Sequence, residues 1–310
     1  MANLPNFLYV GTDKAGSTFI YEILRAHPDC FVPRAKDIYY FDKNYERGPA
    51  WYARFFADAA GKACIGELSH DYLHSRAGAL RIRKDLGAIR IIISIREPVS
   101  RAFSNYLFLL RHGISCGTFQ EAASRFPEII EWSLYAEPLA RYIDLFGSRN
   151  VHVILFDDIR SRPADVQRRL FEFLALDPSA AKPIDLKKPV LPAARPRVKV
   201  IAKLAKAGAV ASRRLGLVNL IGTVKSSPLV QRVLYSPYKS YPQVTDADRA
   251  YFRGFFRQDI ERTSALLGLD LGHWLDQKDA PAEQVSRVSS AQLNRLGEPD
   301  DHRHQNRLST

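Results

Sequence analysis

The N-terminal segment constrains the fold of this chain most, because it joins a short apolar run, a glycine-bearing turn and an amphipathic stretch. Phe7–Gly11 reads FLYVG, and the sequence FIYEILRAH, which has a helical period, follows directly after Ser17 and Thr18. This order predicts a strand, a turn and a helix. The free backbone N–H groups and the dipole at such a helix start favour an anion. The segment therefore predicts an anion-binding turn at the end of a buried strand.

Strands and helices continue to alternate along the chain. Arg90–Ile95 (RIIISI) and residues 151–156 (VHVILF) are apolar runs typical of strands buried on both faces. Pro98 and Pro163 follow these runs and each opens a helical segment, and a long helix is predicted over residues 245–267. This alternation predicts an α/β fold, a three-layer domain with a central, mostly parallel sheet flanked by helices.

The turn, GTDKAGST from Gly11 to Thr18, is P-loop-like but lacks the usual lysine. Both glycines and the last threonine match G-x-x-x-x-G-K-[ST], whereas Ser17 occupies the lysine position and the only lysine is Lys14. The usual lysine neutralises β- and γ-phosphates beside Mg²⁺, while a lysine inside the loop can approach the bridging oxygen of a transferred group. No Asp follows the strand ending at Ile95 to hold a metal. A metal-dependent kinase or NTPase, or a glycine turn without a ligand, remains a less favoured alternative.

Four segments together resemble the sulfotransferases that use 3′-phosphoadenosine 5′-phosphosulfate (PAPS). Residues 10–24 (VGTDKAGSTFIYEIL) resemble the 5′-phosphosulfate loop of this superfamily, and residues 92–112 (IISIREPVSRAFSNYLFLLRH) are similar to its 3′-phosphate motif. Residues 36–42 (KDIYYFD) and 66–73 (GELSHDYL) look like segments of the heparan-sulfate-type and bacterial branch. The resemblance, which spans about residues 7–275, implies PAPS as cosubstrate and no metal requirement.

The resemblance implies specific roles for the turn. Lys14 would lie beside the bridging oxygen and offset the charge that develops on the leaving 5′-phosphate, which makes it a catalytic residue. The 5′-phosphate would be bound at the helix start by backbone N–H groups and hydroxyls. The residues expected to bind the cosubstrate in this way are Lys14, Ala15, Gly16, Ser17 and Thr18.

The resemblance also implies a second phosphate subsite, which distinguishes PAPS from ATP. Arg96 would bind the 3′-phosphate through a bidentate fork, together with Ser104. The alternative for Arg96 is a surface salt bridge. Arg101, which precedes Ser104 by one helical turn, is a weaker candidate or a solvated side chain. From the basic segment described below, Arg195 or Arg197 would close on the phosphates; we expect Arg195 among the binding residues.

Asp37 stands where the family carries a glutamate that acts as general base on the acceptor hydroxyl. The aspartate side chain is one methylene shorter than that glutamate. The alternative is that Asp37 is a structural acid without a catalytic role. Tyr39 occupies the position of a histidine in the heparan-type enzymes, and His70, in place of a proline, is an alternative base. Glu67 and Tyr72 match the pattern and either line the acceptor cleft or pack against the strand end.

Positive charge is concentrated in one segment. The chain carries 45 Lys and Arg against 33 Asp and Glu, and residues 182–240 hold 13 of the basic residues with Asp185 as the only acid. We expect this segment to form a basic lid on the acceptor side, which favours an anionic or lipid-linked acceptor. A nucleic-acid-binding module is the alternative, but stacking aromatics and a recognition motif are missing from the sequence.

Cysteine usage and the N-terminus bear on the compartment. The three cysteines, Cys30, Cys64 and Cys116, are widely separated and predict a reducing environment. The sequence shows no signal peptide and no run long enough to span a membrane, so we expect a cytoplasmic protein. Residues 1–276 are expected to form a single domain, and residues 277–310 a mobile polar tail.

The sequence thus predicts an enzyme that moves a sulfuryl group from PAPS to a hydroxyl of a small molecule, glycan or lipid. Two alternatives stay open: a P-loop nucleotide kinase or NTPase, and a non-catalytic protein that binds PAPS or nucleic acid.

Overall fold

The computed structural model describes residues 4–183, 194–196, 235–237 and 242–275. Arg197, most of the basic segment 182–240 and the expected tail 277–310 lie outside these residues.

Five strands form one sheet in the order β2–β3–β1–β4–β5, and every neighbouring pair is parallel. The strand bounds are β1 Phe7–Gly11, β2 Cys30–Phe31, β3 Cys64–Leu68, β4 Arg90–Ile95 and β5 Val151–Leu155. The chain places β2 and β3 on one side of β1 and then crosses to build β4 and β5 on the other. Ligands of open parallel sheets bind at the carboxyl ends of the strands next to such a reversal, here around the end of β1.

Helices cover both faces of this sheet. Their bounds are α1 Ser17–Arg25, α2 Tyr40–Lys43, α3 Pro49–Ala53, α4 Arg76–Leu86, α5 Pro98–Arg111, α6 Phe119–Arg125, α7 Glu128–Glu131, α8 Ala136–Phe146, α9 Phe156–Ser161, α10 Pro163–Phe173 and α11 Asp246–Leu267. A separate antiparallel pair is formed by β6 Ala194–Pro196 and β7 Tyr235–Pro237.

The core divides into two clusters because side chains alternate along the central strand. Leu8 and Val10 point into a cluster with α4, α5, α8 and α11, while Phe7 and Tyr9 point into one with α1 and α10. Both faces of β1 are fully buried. The predicted three-layer α/β fold with a parallel central sheet is therefore confirmed.

Local signals account for most of the helix starts that the sequence predicted. Pro98 and Pro163 are first residues of α5 and α10, as expected. Thr245 caps α11 rather than opening it, because its hydroxyl accepts a hydrogen bond from the Asp248 amide at 3.0 Å. The strand predicted over residues 151–156 ends one residue earlier, because Phe156 already begins α9.

Candidate active site

The predicted anion-binding turn lies at the carboxyl end of β1, where the sheet reverses its direction of growth. Lys14 and Gly16 both have positive φ angles, 60° and 95°. A Cβ atom added to Gly16 would lie 2.5 Å from Ile159 Cδ1, so the turn needs glycine here. Ala15, between these two residues, is fully buried. A left-handed lysine costs about 1–2 kcal/mol, and such strain is commonly found at functional sites.

The start of α1 offers its backbone donors to a ligand. The helix has no capping side chain and no acidic residue in its first turn. The start of α5 is different, because the Glu97 carboxylate accepts hydrogen bonds from the amides of Val99 and Ser100 at 2.9 and 2.8 Å. The first four N–H groups of a helix have no partner within it. The region around Ser17 and Thr18 therefore suits a phosphate.

Lys14 places a partly desolvated cation beside this helix start. Its Nζ lies 3.8 Å from Asp13 Oδ2 and 3.7 Å from the centroid of the Phe108 ring. Burial lowers the pKa of Lys14, and the negative charges of Asp13 and Asp37 oppose that shift. A cation with so little water around it interacts strongly with an incoming anion.

Arg96 lies next to the turn, directly after β4. Its Nη1 donates a hydrogen bond to the Lys14 carbonyl oxygen at 3.2 Å, and its guanidinium lies 4.6 Å from the centroid of the Phe156 ring. The Tyr135 hydroxyl donates to the Arg96 carbonyl oxygen at 2.8 Å. The guanidinium is thus held against the turn by a carbonyl and a ring. Among the residues that the structure describes, no carboxylate forms the surface salt bridge that the sequence offered as an alternative.

Ser104 lies on α5. It is half-buried and precedes Phe108 by four residues, so both side chains lie on one face of the helix. Since Lys14 Nζ rests over Phe108, that face is the one turned to Lys14. The backbone of β6, which contains Arg195, also lies against α5. The Arg195 side chain is outside what the structure describes.

Arg101 is neither solvated nor available to a ligand, so its interpretation from sequence was wrong. Its side chain is fully buried, and all of its hydrogen bonds go to the protein. The partners are Asp13 Oδ1 at 2.8 Å, Ser133 Oγ at 2.7 Å, and the carbonyl oxygens of Glu128 and Ile129 at 3.1 and 2.9 Å. Burial alone would raise the pKa of Asp13, but the positive charges of Arg101, Lys14 and His70 together outweigh it and the net shift is downward.

Asp37 reaches the same edge from the other side of β1. Its backbone N–H donates to the Leu68 carbonyl oxygen at 2.8 Å, which attaches this segment to the end of β3. The φ angle of Asp37 is 64° and that of Tyr39 is 53°, so together with Lys14 they account for three of four non-glycine residues with positive φ in the described ranges. The negative charge of Asp37 is one of those that oppose the lowering of the Lys14 pKa by burial.

His70 joins Asp37 to a second carboxylate. The Nδ1 atom lies 2.8 Å from Asp37 Oδ1, and Nε2 lies 3.2 Å from Asp71 Oδ1 and 3.0 Å from the Tyr39 hydroxyl. Burial favours the neutral ring, but Asp37 and Asp71 outweigh it and raise the pKa of His70 to about 9. The ring is then an imidazolium that donates from both nitrogens and has no lone pair for a proton. This arrangement opposes the alternative of His70 as the base.

Glu67 supports the site from inside the sheet. It is fully buried in β3 and accepts hydrogen bonds from the hydroxyls of Tyr52 at 2.5 Å, Tyr72 at 2.8 Å and Ser69. Burial raises the pKa of Glu67 to about 7, against the hydrogen bonds that lower it. The sequence left two interpretations of Glu67 and Tyr72, lining of the acceptor cleft or packing against the strand end. Both side chains are fully buried and packed at the end of β3.

The end of β1 thus carries a P-loop-like turn with a lysine inside it, and an arginine that follows the neighbouring strand β4 contacts this turn. The family model described as the sulfotransferase domain matches residues 4–188, which is more than half of the chain. The protein belongs to this sulfotransferase family, and family membership implies PAPS as cosubstrate.

Two curated relatives illustrate the similarity. The membrane-associated sulfotransferase kil1 of Dictyostelium discoideum is 34% identical over 111 residues, which is 35% of this chain and 24% of that protein. The human heparan sulfate glucosamine 3-O-sulfotransferase 3B1 is 28% identical over 182 residues, covering 56% of this chain and 46% of that protein. The chain therefore spans from about a quarter to half of the length of these relatives.

The fold is also seen in a solved structure. A sulfotransferase from Alicyclobacillus acidocaldarius superposes with a TM-score of 0.65 at 24% identity, covering 88% of this chain and 99% of that chain. In the part of the protein that the structure describes, no helix is both long and apolar enough to cross a membrane.

Proposed function

We propose that this protein transfers the sulfuryl group of PAPS to an acceptor hydroxyl, with Lys14 and Asp37 as catalytic residues. The observation that carries the proposal is the position of these two residues on opposite sides of the end of β1. The Lys14 carbonyl oxygen accepts a hydrogen bond from Arg96, which follows β4, at 3.2 Å, and the Asp37 amide donates to Leu68 at the end of β3 at 2.8 Å. A base and a cation so arranged can act on the two ends of an in-line transfer.

In this mechanism the bond between sulfur and the bridging oxygen breaks as a bond from sulfur to the acceptor oxygen forms. The proton of the acceptor hydroxyl passes to the carboxylate of Asp37, whose Oδ1 is held by His70 at 2.8 Å. Lys14 Nζ offsets the charge that develops on the leaving 5′-phosphate, while the start of α1 binds that phosphate. Arg96 and Ser104 bind the 3′-phosphate, and Arg195, whose backbone belongs to β6, is the further residue proposed to bind the cosubstrate.

We propose that the reaction needs no metal, because Lys14 and Arg96 provide the positive charge at the phosphates. Turnover that survives a chelator supports this; restoration of lost turnover by Mg²⁺ argues against it.

For the acceptor, we favour an anionic glycan or lipid-linked hydroxyl. The 13 basic residues of segment 182–240 would attract such a molecule, and the human relative is named for heparan sulfate glucosamine. Equal turnover of neutral and anionic acceptors, unaffected by salt, would remove the basis for this preference.

A cytoplasmic location is part of the proposal. Its support is that Cys30, Cys64 and Cys116 are all free thiols, although Cys30 and Cys64 are register neighbours on β2 and β3. Fractionation of cells that make the full protein tests the location directly.

Calorimetric titration with adenosine 3′,5′-bisphosphate, in the absence of Mg²⁺, tests the nucleotide site. We expect micromolar-range binding that Arg96→Ala weakens. The loss of affinity should be larger for the bisphosphate than for adenosine 5′-monophosphate, which lacks the 3′-phosphate. Preference for Mg-ATP would instead favour a kinase. Binding of PAPS without sulfation of any acceptor would favour a non-catalytic binding protein.

A further inference from the structure

A second lysine contacts the same helix start as the turn. The Nζ atom of Lys36 donates a hydrogen bond to Thr18 Oγ1 at 3.0 Å. Lys36 immediately precedes Asp37, while Thr18 is the second residue of α1. The two residues are far apart in the sequence, so only the packing of the segment 36–42 against α1 brings this cation to the turn.

This hydrogen bond fixes the direction in which the Thr18 hydroxyl donates. An ammonium group has no acceptor, so Lys36 is the donor and Thr18 Oγ1 the acceptor. The hydroxyl hydrogen of Thr18 must then point away from Lys36, toward another acceptor. Because Thr18 lies in the uncapped first turn of α1, an anion at that helix start is positioned to accept it.

The local charge balance also favours an anion here. The acid beside Lys14, Asp13, has Arg101 as its hydrogen-bonded partner, and Asp37 has His70. Burial lowers the pKa of Lys36, opposed by the negative charges of Asp37 and Glu22. Lys14 and Lys36 therefore place two lysines at one helix start, where Asp13 lies closer to Arg101, at 2.8 Å, than to Lys14, at 3.8 Å, and Asp37 has His70 at 2.8 Å.

We propose that Lys36 is a binding residue of the 5′-phosphate subsite, acting from the side of the acceptor segment and through Thr18. The proposal rests on the proposed function, because it assigns Lys36 to one end of the same nucleotide. A phosphate oxygen that accepts from Thr18 Oγ1 lies about 6 Å or less from Lys36 Nζ, given ordinary hydrogen-bond lengths. Lys36 thus recognises the 5′-phosphate and has no part in recognising the 3′-phosphate.

The test is calorimetric titration of the full chain with two nucleotides, adenosine 3′,5′-bisphosphate and adenosine 3′-monophosphate. In Lys36→Met we expect about tenfold weaker binding of the bisphosphate, because the variant loses a positive charge near the phosphate and the hydrogen bond that orients the Thr18 hydroxyl. The affinity for the monophosphate should change less than about twofold. The matched control is Arg34→Met, which removes an exposed positive charge two residues earlier in the same segment and should leave both affinities unchanged.

A second variant, Thr18→Val, keeps the shape of the side chain and removes the hydroxyl. This variant should weaken binding of the bisphosphate but not of the monophosphate. The combined effect of Thr18→Val and Lys36→Met on the binding free energy should be smaller than the sum of their separate effects, because the two residues act together. Wild-type-like binding by Lys36→Met, or equal weakening of both nucleotides, overturns the assignment. Failure of the unmodified protein to bind either nucleotide would instead overturn the proposed function.

Discussion

Arg101 on α5 donates a hydrogen bond from Nη1 to Oδ1 of Asp13 at 2.8 Å, with none of the arginine side chain exposed to solvent. Asp13 directly precedes Lys14, so this buried ion pair fixes the turn that carries the proposed catalytic lysine. It also connects the turn to α7, because Arg101 donates to the carbonyl oxygens of Glu128 and Ile129.

Removing Arg101 should destabilise the protein strongly. We expect Arg101→Met to lower the free energy of unfolding by about 3–5 kcal/mol, because it leaves Asp13 buried without its cation. Adding Asp13→Asn should recover part of this loss. Urea unfolding of the two single variants and the double variant measures the coupling; a fully additive double variant would contradict the ion-pair account.

The turn should tolerate no side chain at Gly16. Gly16→Ala adds a Cβ that meets Ile159 Cδ1 at 2.5 Å, in addition to the cost of a positive φ of about 1–2 kcal/mol. Gly61→Ala is a matched control, since Gly61 has a φ of 75° and nothing within 4 Å of an added Cβ. Thermal unfolding should show a larger loss for Gly16→Ala. Only this variant should lose affinity for adenosine 3′,5′-bisphosphate.

The pairing of Asp37 with His70 should be visible without any acceptor. NMR titration of the full chain should place the pKa of His70 near 9, well above its ordinary 6.5. Asp37→Asn removes one of the two carboxylates and should lower this pKa. An unchanged His70 titration in Asp37→Asn would contradict the contact at 2.8 Å.

The same pairing predicts how stability depends on pH. His70 has a folded-state pKa raised above its unfolded value, so its stabilising contribution is complete below pH 6.5 and is lost as the pH rises through about 9. The stability difference between the wild type and Asp37→Asn should therefore narrow between these pH values. Urea unfolding at pH 6, 8 and 9.5 measures it, and a difference that widens with pH would oppose the account.

Glu67 should produce a pH effect over a lower range. The pKa of Glu67 is about 7 in the folded protein and 4.5 ordinarily. The contribution of Glu67 to the free energy of unfolding is therefore complete below pH 4.5 and is lost as the pH rises through 7. Glu67→Gln has no titrating group at this position. The free energy of unfolding of this variant should therefore lack the decrease between pH 5 and 8 that Glu67 causes in the wild type. Denaturant unfolding of both proteins at these two pH values provides the measurement.

The sequence was sufficient where local patterns decide the structure. The runs around Leu8 and Ile92 predicted buried parallel strands, and Pro98 and Pro163 marked helix starts, because periodicity and proline act locally. The sequence did not predict β2, which is only two residues long, Cys30–Phe31, and depends on pairing with β3.

The contacts around the site form between elements that are separate in the sequence, so the spacing of residues along the chain could not predict them. Lys36 was visible only as a neighbour of Asp37, and its contact with Thr18 arises from tertiary structure. Arg101 carries no local sign of burial, since its partner Asp13 lies in a different element. His70 was recognised as unusual, but its contacts with two carboxylates required the loop after β3 to fold back onto Asp37.

The strand order has a consequence for engineering. Of the elements assigned to the nucleotide, β4 and α5 follow one another on one side of β1. Asp37 belongs to a segment attached to β3 on the other side, by the hydrogen bond from its amide to Leu68, and the preceding residue Lys36 contacts Thr18 of α1. Residues between α1 and α4 thus form an exchangeable cassette. A chimera that replaces this cassette as a whole, with both its Asp37 and His70 loops, should change the acceptor while retaining most of the donor site. A graft of either loop alone would break the contacts between them.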